Sequence, residues 1–315
     1  MPFRKVLHLG KPHFLGDAVT TEPMMRALLS RGDLVSMRAL QPILDLYEGY
    51  HPNLERILGT KSSRLTAMFR EAKELRERKF DLAILTNRSF RSALVAKLAR
   101  IPIRSGHSTD RRAFLLTHHV PYDELRSEVE CNLDLIRLVG LDAEFSLPRL
   151  QVSDAEKQAV ADEMSGIAFG VQPGARFAEK QYPIEKMGEA IRQIVSPNER
   201  ILFVGGKDEW DDADKLAKSL PCQVWNVAGK TDIRGLMARL SHLKLMLGND
   251  TGVMHIAAAV GVPTITLFGP KPSSKWGYSQ APHLPIQAPN NDLSQLDPVW
   301  LADQVKERLM TGGRV

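Results

Sequence analysis

Short apolar runs, each about as long as a strand, alternate with longer segments whose apolar residues recur at helical spacing. In the first half, Phe3–Leu9, Leu34–Leu40, Phe80–Thr86 and Ile101–Ser105 read as strands. Ala18–Ser30, Leu65–Arg78, Phe90–Arg100 and Glu128–Val139 read as the helices among them. In the second half the strands are Ile167–Gln172, Arg200–Gly205, Gln223–Val227, Leu243–Leu247 and Pro263–Phe268. Helices Ile184–Val195, Glu209–Ser219, Ile233–Leu240 and Gly252–Val260 separate them. Such alternation predicts parallel sheets covered by helices on both faces. The rhythm pauses between Gly140 and Met164, where a polar extended stretch precedes a charged helix (Ser153–Met164). The expected organisation is therefore an α/β chain of two doubly wound, Rossmann-like domains, 1–150 and 151–315, with ligands bound in a cleft between them. The last helix, about 298–310, follows a Pro/Asn-rich crossing and is expected to pack back on the first domain. No internal repeat or low-complexity tract interrupts the pattern.

Composition narrows the class. An apolar content of 43% is ample for packed cores and excludes a disordered chain. The two cysteines, Cys131 and Cys222, lie far apart without metal-ligand spacing, which reads as a reducing compartment. The apolar start breaks at Gly10-Lys11-Pro12, too early for a signal sequence, and no run approaches a membrane span. A cytoplasmic location, free or peripheral to a membrane, is the expectation. Net charge is +5 and unevenly spread: residues 1–150 hold 24 Lys/Arg against 18 Asp/Glu, whereas 151–315 hold 18 against 19. A basic first half suits an anionic substrate or surface. A solvated cationic surface explains the charge equally well.

Four strand-to-helix turns carry candidate chemistry. Leu247-Gly248-Asn249-Asp250-Thr251-Gly252-Val253 joins an apolar strand to a small-residue helix, with His255 one turn further on. The amides of Thr251, Gly252 and Val253 form an anion site at a helix N-terminus, suited to a phosphate or diphosphate. Asp250 either caps that helix or orients Lys180, and His255 reads as a packed, hydrogen-bonded histidine more readily than as a catalyst. Lys180, in the loop Gln172–Pro183, offers a point charge for a phosphate or a merely solvated lysine. Gly205-Gly206 permits close backbone approach, and Glu209 beyond it has the chemistry to hold ribose hydroxyls or to favour its own helix terminus. Gly16-Asp17, after the loop that holds Lys11, offers either an N-cap or a general base.

Other readings fail on context. Asp212-Ala213-Asp214 sits in a charged helix start, and His118-His119 lacks companion ligands, so no metal site is expected. There is no Walker loop, no strand-linked Gly-x-Gly-x-x-Gly, no nucleophile elbow, and no aromatic interleaving among basic residues of the kind that binds nucleic acid.

With these residues in view, the chain resembles glycosyltransferase family 9, the ADP-heptose:lipopolysaccharide heptosyltransferases. The likeness rests on Gly16-Asp17 with Thr21-Glu22-Pro23, on Glu128–Leu133, and on Pro173-Gly174-Ala175 with Lys180-Gln181-Tyr182-Pro183. Ala228-Gly229-Lys230-Thr231, Asn249–Gly252 with His255–Ala259, and Phe268-Gly269-Pro270 complete it. The resemblance implies a GT-B fold with acceptor on the N-terminal domain and nucleotide sugar on the C-terminal one. It implies inverting, metal-independent transfer with no cofactor, most readily of heptose from ADP-heptose to a lipid-linked or core oligosaccharide acceptor at the inner membrane's cytoplasmic face. On this reading Asp17 is the general base, Lys180 and the Thr251–Val253 amides steady the diphosphate, and Glu209 holds the ribose. An epimerase or hydrolase on the same architecture, and a non-catalytic nucleotide-sugar-binding paralogue, are the alternatives.

Overall fold

The computed structural model describes residues 5–11, 13–59 and 64–311. The chain divides between Leu150 and Gln151 into two compact units. The first holds β1 (Lys5–Leu9), β2 (Leu34–Ala39), β3 (Leu54–Leu58), β4 (Leu82–Leu85), β5 (Ile103–His107) and β6 (His118–Val120). The second holds β7 (Ile167–Gln172), β8 (Arg200–Phe203), β9 (Gln223–Asn226), β10 (Leu245–Asn249), β11 (Thr264–Phe268) and β12 (Leu284–Gln287). Each forms a six-stranded sheet, ordered β3-β2-β1-β4-β5-β6 and β12-β11-β10-β7-β8-β9. Every ladder is parallel. Both are the doubly wound order in which the first strand lies beside the fourth.

The central strands are the apolar runs of the sequence, and helices cover them on both faces. β4 and β10 are buried at every residue. In the first unit Leu7, Leu9, Ala83 and Leu85 pack with Met68, Ala72 and Leu75 of the helix Leu65–Glu77. In the second, Val171, Leu245 and Leu247 pack with Met187 and Ile191 of the helix Ile184–Ile194.

The differences from the sequence reading have local causes. Three strands absent from it, β3, β6 and β12, are all sheet edges. β3 alternates poorly, with only Ile57 buried; β6 is three residues long; β12 contains Pro285. Edge strands make half the contacts of central ones and so carry a weaker apolar signature. The expected helix Ala18–Ser30 is two, Leu15–Thr20 and Glu22–Ser30, because Pro23 cannot donate to the preceding turn. The expected helix Ser153–Met164 is likewise two, Asp154–Ala159 and Ala161–Met164. A short helix, Gln41–Leu46, was not anticipated. β10 lies two residues later than expected, which puts Gly248 and Asn249 inside the strand. Of the expected first strand, Phe3 and Arg4 fall outside the described residues. The last helix, Pro298–Thr311, expected to pack back on the first domain, buries Leu301, Ala302 and Val305 in the second unit's own core.

Candidate active site

In each sheet the chain leaves the first and fourth strands in opposite directions, so the loops after them diverge and open a crevice at the carboxyl edge. The candidate residues gather at these two switch points, one per unit.

In the first unit, β1 delivers the loop that begins at Gly10. The amide nitrogen of Asn87, two residues beyond β4, donates to the carbonyls of Leu9 (2.9 Å) and Gly10 (3.3 Å) and clasps that loop to the neighbouring strand. The helix Leu15–Thr20 follows, with Phe14 at its N-cap position, so Asp17 is not the cap. Its carboxylate, in the first turn, is favoured there by the helix dipole and forms an ion pair with Lys11. Gly16 supplies the preceding helical residue. Burial pushes the Asp17 carboxyl above the usual carboxylate range; Lys11 opposes the shift, Glu128 adds to it and Arg88 subtracts. A small cavity beside it is lined by His8, Lys11, Asp17, Thr21, Met37 and Arg38. His8 bonds Thr86 Oγ1 at 2.9 Å and is lowered to about 4 by burial, so it stays neutral.

Lys11 apart, the charged and aromatic residues of this part of the unit were not picked out individually from the sequence. The guanidinium of Arg88 lies 4.1 Å from the centroid of the Tyr122 ring, and the Tyr122 hydroxyl donates to Glu128 at 2.5 Å. Arg112, wholly buried, donates to the carbonyls of His107 (2.9 Å) and Ser89 (3.0 Å) and is lowered to about 10 by burial. These side chains come from the segments after β4 (Arg88), β5 (Arg112) and β6 (Tyr122) and from the start of helix Glu128–Arg137, which no local pattern brings together.

The second unit's switch point is denser. Asn249, wholly buried at the end of β10, donates to the carbonyls of Pro173 and Gly174 (both 3.0 Å) and accepts from the amide of Tyr182 (2.9 Å). One side chain thus holds both ends of the loop that carries Lys180. The Lys180 ammonium pairs with the Asp250 carboxylate. Asp250 is not the helix cap: the cap position belongs to Thr251, and its side chain makes no capping bond. The Thr251 hydroxyl instead donates to Gln172 Oε1 at 3.0 Å. The helix Gly252–Ala259 thus opens without a side-chain cap, and a helix start of this kind can receive an anion on its first-turn amides; Thr251, Gly252 and Val253 there are half-buried. Gly248 must lack a side chain, since a Cβ there would stand 2.7 Å from Met254 Sδ.

Gln172 extends the network in the other direction, its amide nitrogen donating to Glu209 Oε2 at 2.9 Å. That oxygen also accepts from the amide of Gly206 at 3.0 Å. The glycines make room for the carboxylate: a Cβ on Gly205 would lie 2.5 Å from Glu209 Oε2, and one on Gly174 2.8 Å from its Cγ. Lys180, Asp250, Thr251, Glu209, Gly205 and Gly206 are therefore one assembly, and Gln172, absent from the sequence candidates, links its halves. Its signals were its place at the end of the apolar run Ile167–Gln172 and at the head of the loop Gln172–Pro183. His255, buried, exchanges a hydrogen bond with the Tyr278 hydroxyl (Nδ1 to Oη, 2.8 Å) and meets the Trp276 ring edge-on.

Comparison with known proteins gives matches that extend over most of the chain. Lipopolysaccharide heptosyltransferase 2 of Salmonella typhimurium is 27% identical over 289 residues, covering 84% of this chain and 83% of its own. Lipopolysaccharide heptosyltransferase 3 of Escherichia coli is 27% identical over 280 residues, covering 81% of each. Among solved structures, E. coli ADP-heptose LPS heptosyltransferase II superimposes with a TM-score of 0.81 at 22% identity, over 99% of this chain and 100% of that one. E. coli heptosyltransferase WaaC with ADP gives 0.75 at 20%, over 98% and 99%. Residues 68–299 match the model of glycosyltransferase family 9 (heptosyltransferase). A match over most of the length, on paired Rossmann-type units of the GT-B fold, makes this chain a member of glycosyltransferase family 9 and a glycosyltransferase.

Proposed function

We propose that the protein transfers heptose from ADP-heptose to a lipopolysaccharide-core or related glycan acceptor, with inversion at the anomeric carbon. The second unit takes the donor and the first the acceptor. The observation that carries the donor half is Lys180, paired with Asp250 beside the uncapped N-terminus of the helix Gly252–Ala259. A diphosphate seated there meets three amides and an ammonium, and Glu209 keeps Oε1 for a ribose hydroxyl. The relatives' names and the WaaC complex with ADP support the choice of donor.

The reaction follows from the charges. An acceptor hydroxyl oxygen attacks the anomeric carbon while Asp17 takes its proton, and a carboxyl raised by burial is a stronger base than an exposed one. The bond from that carbon to the diphosphate breaks, and its electron pair leaves with ADP. Lys180 and the Thr251–Val253 amides stabilise the departing charge, an arrangement already in place before the reaction. On this reading no metal is needed, and turnover is expected to persist in chelator. The +6 first half suits a phosphorylated, lipid-linked acceptor and peripheral binding at the cytoplasmic face of the inner membrane. No helix among the described residues is long and apolar enough to cross a membrane.

Calorimetric titration with ADP, UDP, GDP and CMP tests the donor site. ADP is expected to bind best and to lose affinity on Lys180→Ala. A preference for another nucleotide would replace the donor, and absence of binding by folded protein would refute the reading. Release of ADP from ADP-heptose only when core acceptor is added would distinguish transfer from hydrolysis.

A further inference from the structure

The helix Leu65–Glu77 of the first unit has two apolar faces where its place in the fold accounts for one. Met68, Ala72 and Leu75 enter the core. Leu65 and Phe69, one turn apart, point outward and remain 70% and 57% exposed. The neighbouring helix Phe90–Leu98 is joined to the first by Arg91–Glu71 at 2.6 Å and presents Phe90 outward. Phe114, 66% exposed, stands with its ring centroid 6.1 Å from that of Phe90. Large apolar side chains left in water forgo the free energy that burial of their surface would gain. A group of them on adjoining elements marks an interaction surface.

The charges around them select the partner. Arg70, Lys73 and Arg76 are exposed on the first helix and Lys97 on the second, its ammonium 5.5 Å from the centroid of the Phe114 ring. The exposed acids of the first helix are Glu74, engaged by Arg38 at 3.3 Å, and Glu77. Aromatic and aliphatic groups ringed by Lys and Arg match the interface of an anionic bilayer, where rings enter the headgroup region and cations meet lipid phosphates. A second copy of the same surface would bring like charges together. Leu65 and Phe90 open helices that follow β3 and β4. They therefore lie at the carboxyl edge of the first sheet, the edge that carries Asp17.

We infer that Leu65, Phe69, Phe90 and Phe114, with the surrounding basic residues, form the surface by which this protein docks on anionic lipid. The inference rests on the peripheral-membrane reading above and gives that reading a place on the molecule. It also gives a reason for the place, since a lipid-linked acceptor would arrive at the same edge as the base.

The test is co-sedimentation of the full chain with phosphatidylglycerol or phosphatidylcholine vesicles at low and high salt. Wild type is expected to bind phosphatidylglycerol vesicles at low salt and to be released by salt. L65S/F69S and R70E/K73E are each expected to bind at least tenfold more weakly, with ADP titration curves unchanged to show that fold and donor site are intact. Failure of wild type to bind would overturn both this surface and the membrane reading, leaving the ADP titration to judge the donor site. Binding by both variants at the wild-type level would overturn this surface alone. A wild-type dimer in sedimentation equilibrium that the variants abolish would replace lipid with a second copy.

Discussion

The two switch points share a device and use it differently. In each unit an asparagine at or just past the end of the fourth strand donates its amide to two consecutive carbonyls at the end of the first. Asn87 does so to Leu9 and Gly10, and Asn249 to Pro173 and Gly174. The remaining oxygen separates them. Asn87 Oδ1 accepts from the Ser89 amide two residues on (3.2 Å) and from Arg112 Nη1 (3.5 Å), neither of them on its own loop after β1, whereas Asn249 Oδ1 accepts from the Tyr182 amide at the far end of the loop it holds. The second unit's loop is thereby held at both ends, and Gln172 couples it to Glu209. In the first unit a half-buried carboxylate beside Lys11 sits in the first turn of the helix that follows a loop clasped at its start. The comparison teaches that one topology supports two kinds of site, which on the proposed function are a cradle held at both ends for the diphosphate and a carboxylate of raised basicity for the acceptor.

The largest effect should come from Asp17. Asp17→Asn is expected to lower kcat by roughly 10²- to 10⁴-fold, the range of general-base catalysis, with ADP affinity within a few-fold of wild type. A matching loss of ADP affinity would erase the division of labour between the units. Because only the ionised carboxylate accepts a proton, kcat/KM should fall as pH drops through the raised Asp17 value. The acid limb of the profile should therefore lie above the ordinary carboxylate range.

Lys180→Ala comes next. Loss of a preorganised donor to developing charge costs about 10²- to 10³-fold in kcat, and here ADP binding should weaken as well. Lys180→Arg should restore little, since a planar fork does not replace a compact ammonium. Full rescue by Arg would show that charge alone matters.

The two asparagines test the shared clasp directly. Asn249→Ala strands two buried carbonyls and one amide at about 1–3 kcal/mol for each group left unsatisfied, so ADP affinity should drop at least tenfold. Asn87→Ala should change ADP affinity by less than twofold and raise KM for the acceptor. Equal effects of the two on ADP binding would break the comparison.

The smallest effect concerns stability in acid and should appear in both units. His8 in the first and His283 in the second are lowered by burial to about 4 from 6.5. The unfolded chain therefore binds protons first as pH falls. Stability should be flat above about pH 6.5 and decline between there and about pH 4. Urea midpoints at pH 7.5 and pH 5 would measure this. His8→Gln should flatten the decline in part, and an unchanged slope would mean that carboxylates dominate.

Much of the fold was legible in the chain. The central strands are buried on both faces and so stand out as continuous apolar runs. β3, β6 and β12 escaped because an edge strand is half solvated, and the Pro285 of β12 reads against a strand. At the sites, the strand-to-helix glycines and helix starts marked the right loops. Asp250 read as either a cap or a partner of Lys180, and the structure has the second: Thr251 holds the cap position and Asp250 pairs with Lys180. Gln172 read as the close of a strand and the first residue of a candidate loop, with nothing to show that it joins Glu209 to Thr251.

By itself, then, the sequence determined the α/β alternation, the division near residue 150 as an expectation, and the loops where chemistry would gather. These depend on periodicity and turn chemistry within about a dozen residues. Only the tertiary structure decided which loops meet. Lys180 and Asp250 are 70 positions apart, Gln172 and Thr251 79, and Gln172 and Glu209 37. Those encounters follow from the first strand lying beside the fourth, an order set by how helices pack over the sheet and which no local pattern encodes.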